Sequence, residues 1–446
     1  MKNHDNLNDH PDYLRLPLSA RGFTNGSGGL TIAGIPLRTL IDRFGTPFYL
    51  FREDGLRDAI RRARATAAAL FRDCRLFYPV KTNGRRRVLE IVLEEGLGAE
   101  VISLDELNLV LAMGFAPGAI VFNGPGKTDT GLRRAVRAGV HINVESVGEA
   151  EVLCRIAEEE DSPVSAGLRI NSDVFQRRER GDMGMVGACW FGLEPGEEEF
   201  EAVLRRFRRT SLVRFHTLSA HIGTGVIESA PYRLLARSMS AIRDALNRQG
   251  FIIDTLDLGG GFSIAAEVRL PERTLDTFAL PAPGTIPAPE TIATFADCCH
   301  AIASQLPSTA PSIILEPGRL LVSGVFHLVS NVVRLKEHRG TTFVILDAGR
   351  IQNALFAGRG YHDIIHVNRP VDKAAREYTV VGPLCAGFDV YARSRRLPEL
   401  REGDALLLGE VGAYNLSAQS GWSFVPAPVV AVSGTDVRHL GSDRPW

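Results

Sequence analysis

The feature that most constrains this chain is an alternation of element types repeated eight times. Short apolar runs of strand character occur at 76–81, 99–103, 120–123, 141–146, 166–171, 218–223, 255–259 and 312–316. Apolar residues at helical spacing fill most of the gaps, at 87–95, 104–112, 130–138, 147–159, 196–208, 231–249 and 290–305. Strands that alternate with helices imply right-handed βαβ units and a parallel sheet. Eight units point to an α/β fold with a closed (β/α)8 barrel, an open doubly wound sheet being the alternative. A barrel uses over half of 446 residues, which leaves room for a second domain.

Beyond Glu316 the pattern changes. Runs at 322–333, 342–347, 378–381, 405–408 and 428–432 are β-rich, with Gly and Pro punctuation and little helix. The expected plan is an N-terminal arm with strands joining the β domain (1–45), a barrel (46–319) and a C-terminal β domain (320–446). Residues 1–26 read as a loose arm, 30–50 as short strands or turns, and 54–71 as a helix. Of two long connections, 172–190 reads as a lid. The proline-rich stretch 265–289 reads as a surface loop.

A net charge of −1 gives no electrostatic reason to expect nucleic acid or an anionic membrane as partner. The arginine clusters at 61–64, 85–87 and 205–209 have acids nearby and read as solvated faces. No apolar run is long enough to span a bilayer, and the N-terminus has no apolar signal core. Cys74, Cys154, Cys189, Cys298, Cys299 and Cys385 make no CxxC pair and no zinc spacing. Reduced thiols, no metal site and a cytoplasmic location are the expectation.

In a β/α barrel the chemistry sits at the C-terminal strand ends. Strand one ends in Lys81. Strand two carries Glu100 and leads to Glu106. Strand five carries Arg169. Strand six ends in His221-Ile222-Gly223-Thr224-Gly225, strand seven in Gly259-Gly260-Gly261, and strand eight in Glu316-Pro317-Gly318-Arg319. A lysine closing a buried strand must be desolvated, paired or chemically used, unless it snorkels its head into solvent. Desolvation lowers a lysine pKa, as an imine-forming lysine needs. Glycines after strand seven and an arginine after strand eight suit a phosphate, though three glycines also make a tight turn. No GxGxxG fingerprint is present. Lysine, phosphate cradle and strand-end carboxylate together suggest pyridoxal 5′-phosphate, with Glu316 holding a proton on the pyridine nitrogen. His221 suits stacking on the ring, or is a hydrogen-bonded core histidine.

Six motifs in order carry a resemblance. They are Tyr78-Pro79-Val80-Lys81-Thr82-Asn83, His221-Ile222-Gly223-Thr224-Gly225, Asp257-Leu258-Gly259-Gly260-Gly261-Phe262, Glu316-Pro317-Gly318-Arg319, Gly382-Pro383-Leu384-Cys385 and Gly412-Ala413-Tyr414. With them the chain resembles the decarboxylases of the alanine-racemase-like class, the group containing diaminopimelate and ornithine decarboxylases. The resemblance implies that Lys81 holds the cofactor covalently and His221 stacks on it. It implies that Thr224, Gly259, Gly260, Gly261, Arg319 and Tyr414 hold the phosphate, and that Gly318 also lies against the cofactor. Glu316 pairs with the pyridine nitrogen, and Glu100 and Arg169 lie near the cofactor. It also implies a homodimer with shared active sites, in which Cys385 enters the partner's site as proton donor. A buried apolar thiol is the bland alternative for Cys385.

The chain departs from the family pattern after that cysteine. The relatives follow it with Glu or Asp, which helps bind the substrate's distal ammonium; here Ala386 stands, with Asp389 three residues on. Trp190-Phe191-Gly192 replaces Lys-Phe-Gly, and Arg359 falls near the family's substrate-binding region. The expected substrate is therefore an α-amino acid or conjugate with a neutral or acidic distal end, such as a siderophore intermediate or a carrier-bound amino acid. Diaminopimelate, ornithine or lysine decarboxylase, an amino-acid racemase and a non-catalytic PLP-binding protein are the alternatives.

Overall fold

The computed structural model describes Leu14 and residues 16–171, 190–264, 288–307, 310–349 and 362–442. One unit comprises Met1–Ala59, Ile264–Ile292 and Arg319–Arg444; the other comprises Ile60–Ser263 and Ala293–Gly318, with the last two residues. The connections expected as lid and surface loop lie almost wholly outside the described residues, as does Arg359.

From residue 16 onward the N-terminal segment is more ordered than an arm. Strands β1 (Phe23–Gly26), β2 (Gly29–Ile32) and β3 (Ile35–Pro36) form their own three-stranded sheet. They do not pair with the large β sheet, but they lie in the same unit as the C-terminal strands. Leu18 and Phe23 are fully buried. Arg21 is buried too, ion-paired with Asp363 and Glu410, so its charge is matched by acids brought from far along the chain. Helix α1 (Leu37–Phe44) starts after Pro36 and stops at Gly45, whose positive φ suits the chain reversal. Strand β4 (Phe48–Arg52) follows, then helix α2 (Glu53–Leu70).

The barrel strands are β5 (Cys74–Pro79), β6 (Gly98–Val101), β7 (Ile120–Phe122), β8 (His141–Val144), β9 (Val164–Arg169), β10 (Val213–Ser219), β11 (Thr255–Asp257) and β12 (Ser312–Leu315). They close in the order β10-β11-β12-β5-β6-β7-β8-β9, all neighbours parallel. All eight expected strands are present, so the closed barrel and not the open sheet is the fold. Helices α3 (Arg86–Glu94), α4 (Leu104–Ala112), α5 (Asp129–Ala138), α6 (Val147–Glu159), α7 (Glu198–Arg208), α8 (Ala230–Arg248) and α9 (Phe295–Ala303) connect them. Their starts are written locally. Ser103, Thr128 and Ser146 each accept the N–H three residues on, and Thr294 with Asp297 makes a capping box.

Inside the barrel Phe77, Val121 and Ile314 form a buried apolar cluster. Gly98 lies against Phe77; a Cβ there would come within 2.5 Å of the ring.

In the other unit a short helix, α10 (Arg319–Val322), leads to β13 (Phe326–His338), β14 (Thr341–Leu346), β15 (Ile364–His366), β16 (Arg376–Val381), β17 (Val390–Leu397), β18 (Ala405–Leu408), β19 (Val429–Ser433) and β20 (Asp436–His439). The sheet order is β17-β16-β14-β13-β4-β19-β20, with β18 pairing β13 and β15. Thus β4, which the sequence places in the barrel segment, belongs to this sheet. It runs antiparallel to β13 and parallel to β19. Its Phe48, Tyr49, Leu50 and Phe51 are fully buried, as a central strand covered on both faces requires.

Candidate active site

The C-terminal ends of the barrel strands bring the expected residues together. Lys81 lies just past β5, in a single 3-10 turn (Val80–Thr82). Tyr78 Oη donates to Asn83 O (3.1 Å) and ties that turn down. The Lys81 ammonium is ion-paired with Glu100 of β6, whose side chain is buried. So the lysine is paired, not simply extended into solvent. Gly318 packs against the same turn; a Cβ there would lie 2.3 Å from Thr82 Oγ1.

His221 follows β10. Gly260 N–H donates to its Nδ1 (3.0 Å), which puts the ring proton on Nε2. Burial, then the cations Arg169 and Lys81, pull its pKa down to about 3, so the ring is neutral.

The glycine turn after β11 is packed too closely for side chains. A Cβ on Gly260 would sit 2.2 Å from Glu316 O, and one on Gly261, whose φ is +92°, would sit 2.4 Å from Gly223 O. Glu316 N–H donates to Gly259 O (2.8 Å), and Val226 N–H donates to Gly261 O (2.8 Å). The loops after β10, β11 and β12 are thereby laced into one concave backbone surface.

Glu316 lies past β12, 5% exposed. Burial, then the negative charges of Asp257 and Glu100, push its carboxyl well above the usual range. Asp257, at the end of β11, is pushed up to about 6 mainly by burial. Three acids therefore share one barrel mouth with Lys81 and Arg169, and a further cation would relieve their repulsion.

Glu106 also sits here, with Ile102 N–H donating to its Oε2 (2.8 Å). Burial pushes its pKa up to about 7 from 4.5. Between those values the folded protein holds a proton that the unfolded chain releases, so stability falls as pH rises from about 4.5 to about 7 and stays reduced above. Glu106→Gln should therefore stabilise the protein at pH 8 by up to about 3 kcal/mol and by nothing near pH 4. Urea unfolding at the two pH values checks this.

In the other unit, the Arg319 guanidinium carbon lies 5.2 Å from the centre of the Tyr414 ring. Arg319 is 5% exposed, and burial pulls its pKa down to about 10. Cys385 is exposed and Ala386 half-buried. Asp389 is buried and turned into its own loop, where its Oδ2 accepts Leu384 N–H (2.8 Å). Among the described residues no group of acids, histidines and cysteines is arranged to hold a metal. No described helix is long and apolar enough to cross a membrane.

Three polar residues inside the barrel have no role in the motif reading: Asn123, Asn143 and the side chain of Asp257. Asn123 Nδ2 donates to Glu316 Oε1 (2.8 Å), and Asn143 Nδ2 donates to Asp257 Oδ2 (3.1 Å). Their signal is faint but present. In His141-Ile142-Asn143-Val144, polar residues alternate with apolar ones, placing His141 and Asn143 on one face of a buried strand.

A lysine, a glycine cradle and a buried carboxylate at the mouth of a β/α barrel, with a separate β unit, define a class of cofactor enzyme. Residues 57–323 match the family model described as pyridoxal-dependent decarboxylase, pyridoxal binding domain, and the chain belongs to this family. It is a PLP-dependent amino-acid decarboxylase, a carboxy-lyase. A diaminopimelate decarboxylase of Pseudomonas aeruginosa is 32% identical over 405 residues, covering 90% of this chain and 91% of its own length. That of Zymomonas mobilis is 29% identical over 417 residues, covering 92% and 93%. The solved diaminopimelate decarboxylase of M. jannaschii, in complex with L-lysine, has the same fold, with TM-score 0.80 at 24% identity over 94% of each chain.

The residues present fit pyridoxal 5′-phosphate. Gly260 and Gly261 keep a backbone surface bare of side chains, as a phosphate cradle needs. Glu316, pushed up by burial and then by its acidic neighbours, is suited to a cationic pyridine nitrogen, which would relieve both costs. Bound there, the cofactor supplies the electron sink for loss of CO2.

Proposed function

We propose that this enzyme removes the α-carboxylate of an amino acid or amino-acid conjugate whose distal end is neutral or acidic. A siderophore or other specialised-metabolite intermediate, free or carrier-bound, fits that description. The observation that carries this reading is the Cys385 loop. Ala386 stands where the resemblance calls for an acid, and Asp389 is committed to Leu384 N–H. A distal ammonium placed beside Ala386 would lack its carboxylate, a cost of about 3–5 kcal/mol for an unpaired buried charge.

In this reading Lys81 holds the cofactor covalently, with Glu100 as its charge partner. Neutral His221 lies on the ring face, and Glu316 carries the hydrogen bond to the ring nitrogen. The backbone of Gly259, Gly260 and Gly261, with Thr224 and Gly318, lies around the phosphate. Arg319, stacked on Tyr414, is a buried cation suited to an anion. Arg169 is assigned near the cofactor on the resemblance, and Arg359, outside the described residues, is assigned to the substrate's far end on the resemblance alone. Cys385 Sγ delivers a proton to the substrate Cα after CO2 has left.

A homodimer is part of the proposal. Cys385 is exposed, and three residues on the Phe388 ring lies 5.7 Å from that of Trp422. Trp422, Phe424 and Val425 are exposed, and a second copy of the chain would bury them.

Steady-state CO2 release from a substrate panel tests the substrate class. The expected kcat/KM for free meso-diaminopimelate is at least about 100-fold below that for a counterpart with a neutral or acidic distal end. Efficient turnover of free diaminopimelate, lysine or ornithine would refute it and favour the activities named for the relatives. Cys385→Ala should lower kcat by about 10²–10⁴-fold, the range of a lost general acid. Unchanged rate and product stereochemistry would remove Cys385 from the scheme.

A further inference from the structure

Behind Glu316 a file of polar side chains runs down the inside of the barrel. Asn123 Nδ2 donates to Glu316 Oε1 (2.8 Å). Asn143 Nδ2 donates to Asn123 Oδ1 (2.8 Å) and to Asp257 Oδ2 (3.1 Å). Asn143 Oδ1 therefore accepts from His141 Nε2 (3.1 Å). A neutral His141 with its proton on Nε2 offers Nδ1 as acceptor, so the Ser165 hydroxyl donates to it (2.8 Å). Ser165 Oγ lies 2.9 Å from His216 Nε2, and His216 Nδ1 lies 3.1 Å from Asp254 Oδ1. From His141 upward each donor points toward the carboxylates, and each amide has one orientation that satisfies its neighbours.

The barrel is shaped around this file. Gly167 of β9 is the register partner of Asn143. A Cβ on Gly167 would lie 1.9 Å from Asn143 Oδ1. Its φ lies outside the left-handed region, so the need for glycine here is room for the amide. The bulge in β10 between Phe215 and Thr217 interrupts the register at His216, which reaches Ser165 and Asp254. Asp257 is held independently by Ser219 Oγ (3.1 Å) and Gly259 N–H (3.1 Å), so it gives the two amides a fixed reference point. Among the described residues Asn123 is the donor to Glu316, and it occupies Oε1 only.

We propose that Asn123 and Asn143 are positioning residues that fix the Glu316 carboxylate for the cofactor's pyridine nitrogen, Asn123 by holding Oε1 and Asn143 by holding Asn123, in a cleft that Gly167 keeps open. This rests on the reading of Glu316 as the partner of that nitrogen. The amides act by orientation. With Oε1 pinned, the second oxygen keeps one direction, and the carboxylate does not rotate toward Asp257. Polar residues this deep in a barrel interior carry a desolvation cost, and their complete mutual satisfaction offsets it.

The test uses the full-length enzyme reconstituted with ¹⁵N-labelled pyridoxal 5′-phosphate. The nitrogen chemical shift reports protonation of the ring, and kcat and KM are measured alongside. In the wild type the shift is that of a protonated pyridine. In Asn123→Ala it moves toward the unprotonated value, and kcat falls about 10- to 100-fold, the worth of one hydrogen bond to a charged group, at unchanged KM. Asn143→Ala moves both in the same direction by less. Gly167→Ala removes no polar group and produces the same shift by crowding Asn143. Should Asn123→Ala not fold, Gly167→Ala decides alone. A protonated wild type whose folded variants keep the wild-type shift overturns the positioning role and leaves Glu316 in place. An unprotonated wild type overturns the reading of Glu316 itself.

Discussion

Lys81→Ala should lower the rate of CO2 release by at least about three orders of magnitude, as loss of a covalent catalytic group does. The protein should still fold, because the side chain is 35% exposed and sits at a strand end. The turn is held by Tyr78 and Asn83, and by the packing of Gly318 on Thr82. Bound cofactor should lose the visible absorption of its covalent link and dissociate on dialysis. Lys127 is the control. Its ammonium is buried and paired with Glu149 (2.9 Å), and it also donates to Gly124 O. Lys127→Met should change the melting temperature and leave the visible spectrum as it is. A Lys81→Ala enzyme that keeps its rate would remove the lysine from the chemistry.

Glu316→Gln should have the second largest effect, a fall in kcat of about 10²–10³-fold with KM little changed, the range seen when one preorganised electrostatic partner is removed. Glutamine keeps the shape and keeps an oxygen for the Asn123 amide, so the change removes charge and little else. A neutral amide cannot hold a positive ring nitrogen as a carboxylate does, and the ring then draws electrons less strongly from the bond to CO2. The same variant relieves repulsion with Asp257, which burial and neighbouring charge already disfavour as an anion. Melting temperature without cofactor should therefore rise or hold while kcat collapses. A combined fall would mark Glu316 as structural.

The barrel is legible in the sequence because its signals are local. Each strand is a short apolar run, each helix keeps its own period, and Ser103, Thr128, Ser146 and Thr294 mark helix starts within four residues. Lys81, His221, the glycine turn and Glu316 are legible for the same reason, since each sits within a few residues of a strand end. What is not legible is set by distant contacts. Phe48–Arg52 reads as one more apolar strand, and its place between β13 and β19 depends on residues almost 300 and 400 positions away. Arg21 looks like a surface charge in a loose arm until Asp363 and Glu410 are brought to it. Strand β17 (Val390–Leu397) is hidden by its arginines and by a burial pattern that does not alternate along its length.

The substrate end follows the same division. Ala386 after Cys385 is a local departure that the sequence states openly. The inward turn of Asp389 is a matter of three-dimensional loop closure. The polar file behind Glu316 is of the second kind. Asn123, Asn143 and His141 acquire meaning when β7, β8 and β9 are set side by side and Gly167 is seen to make room for an amide.

The most direct test of the central claim is to map where the cofactor is attached. The chain's lysines are Lys2, Lys81, Lys127, Lys336 and Lys373. Borohydride reduction of the holoenzyme, proteolysis and mass spectrometry should place a single phosphopyridoxyl group on the peptide containing Lys81. A label on Lys127 or any other lysine, or a cofactor that reduction does not trap at all, would contradict the account.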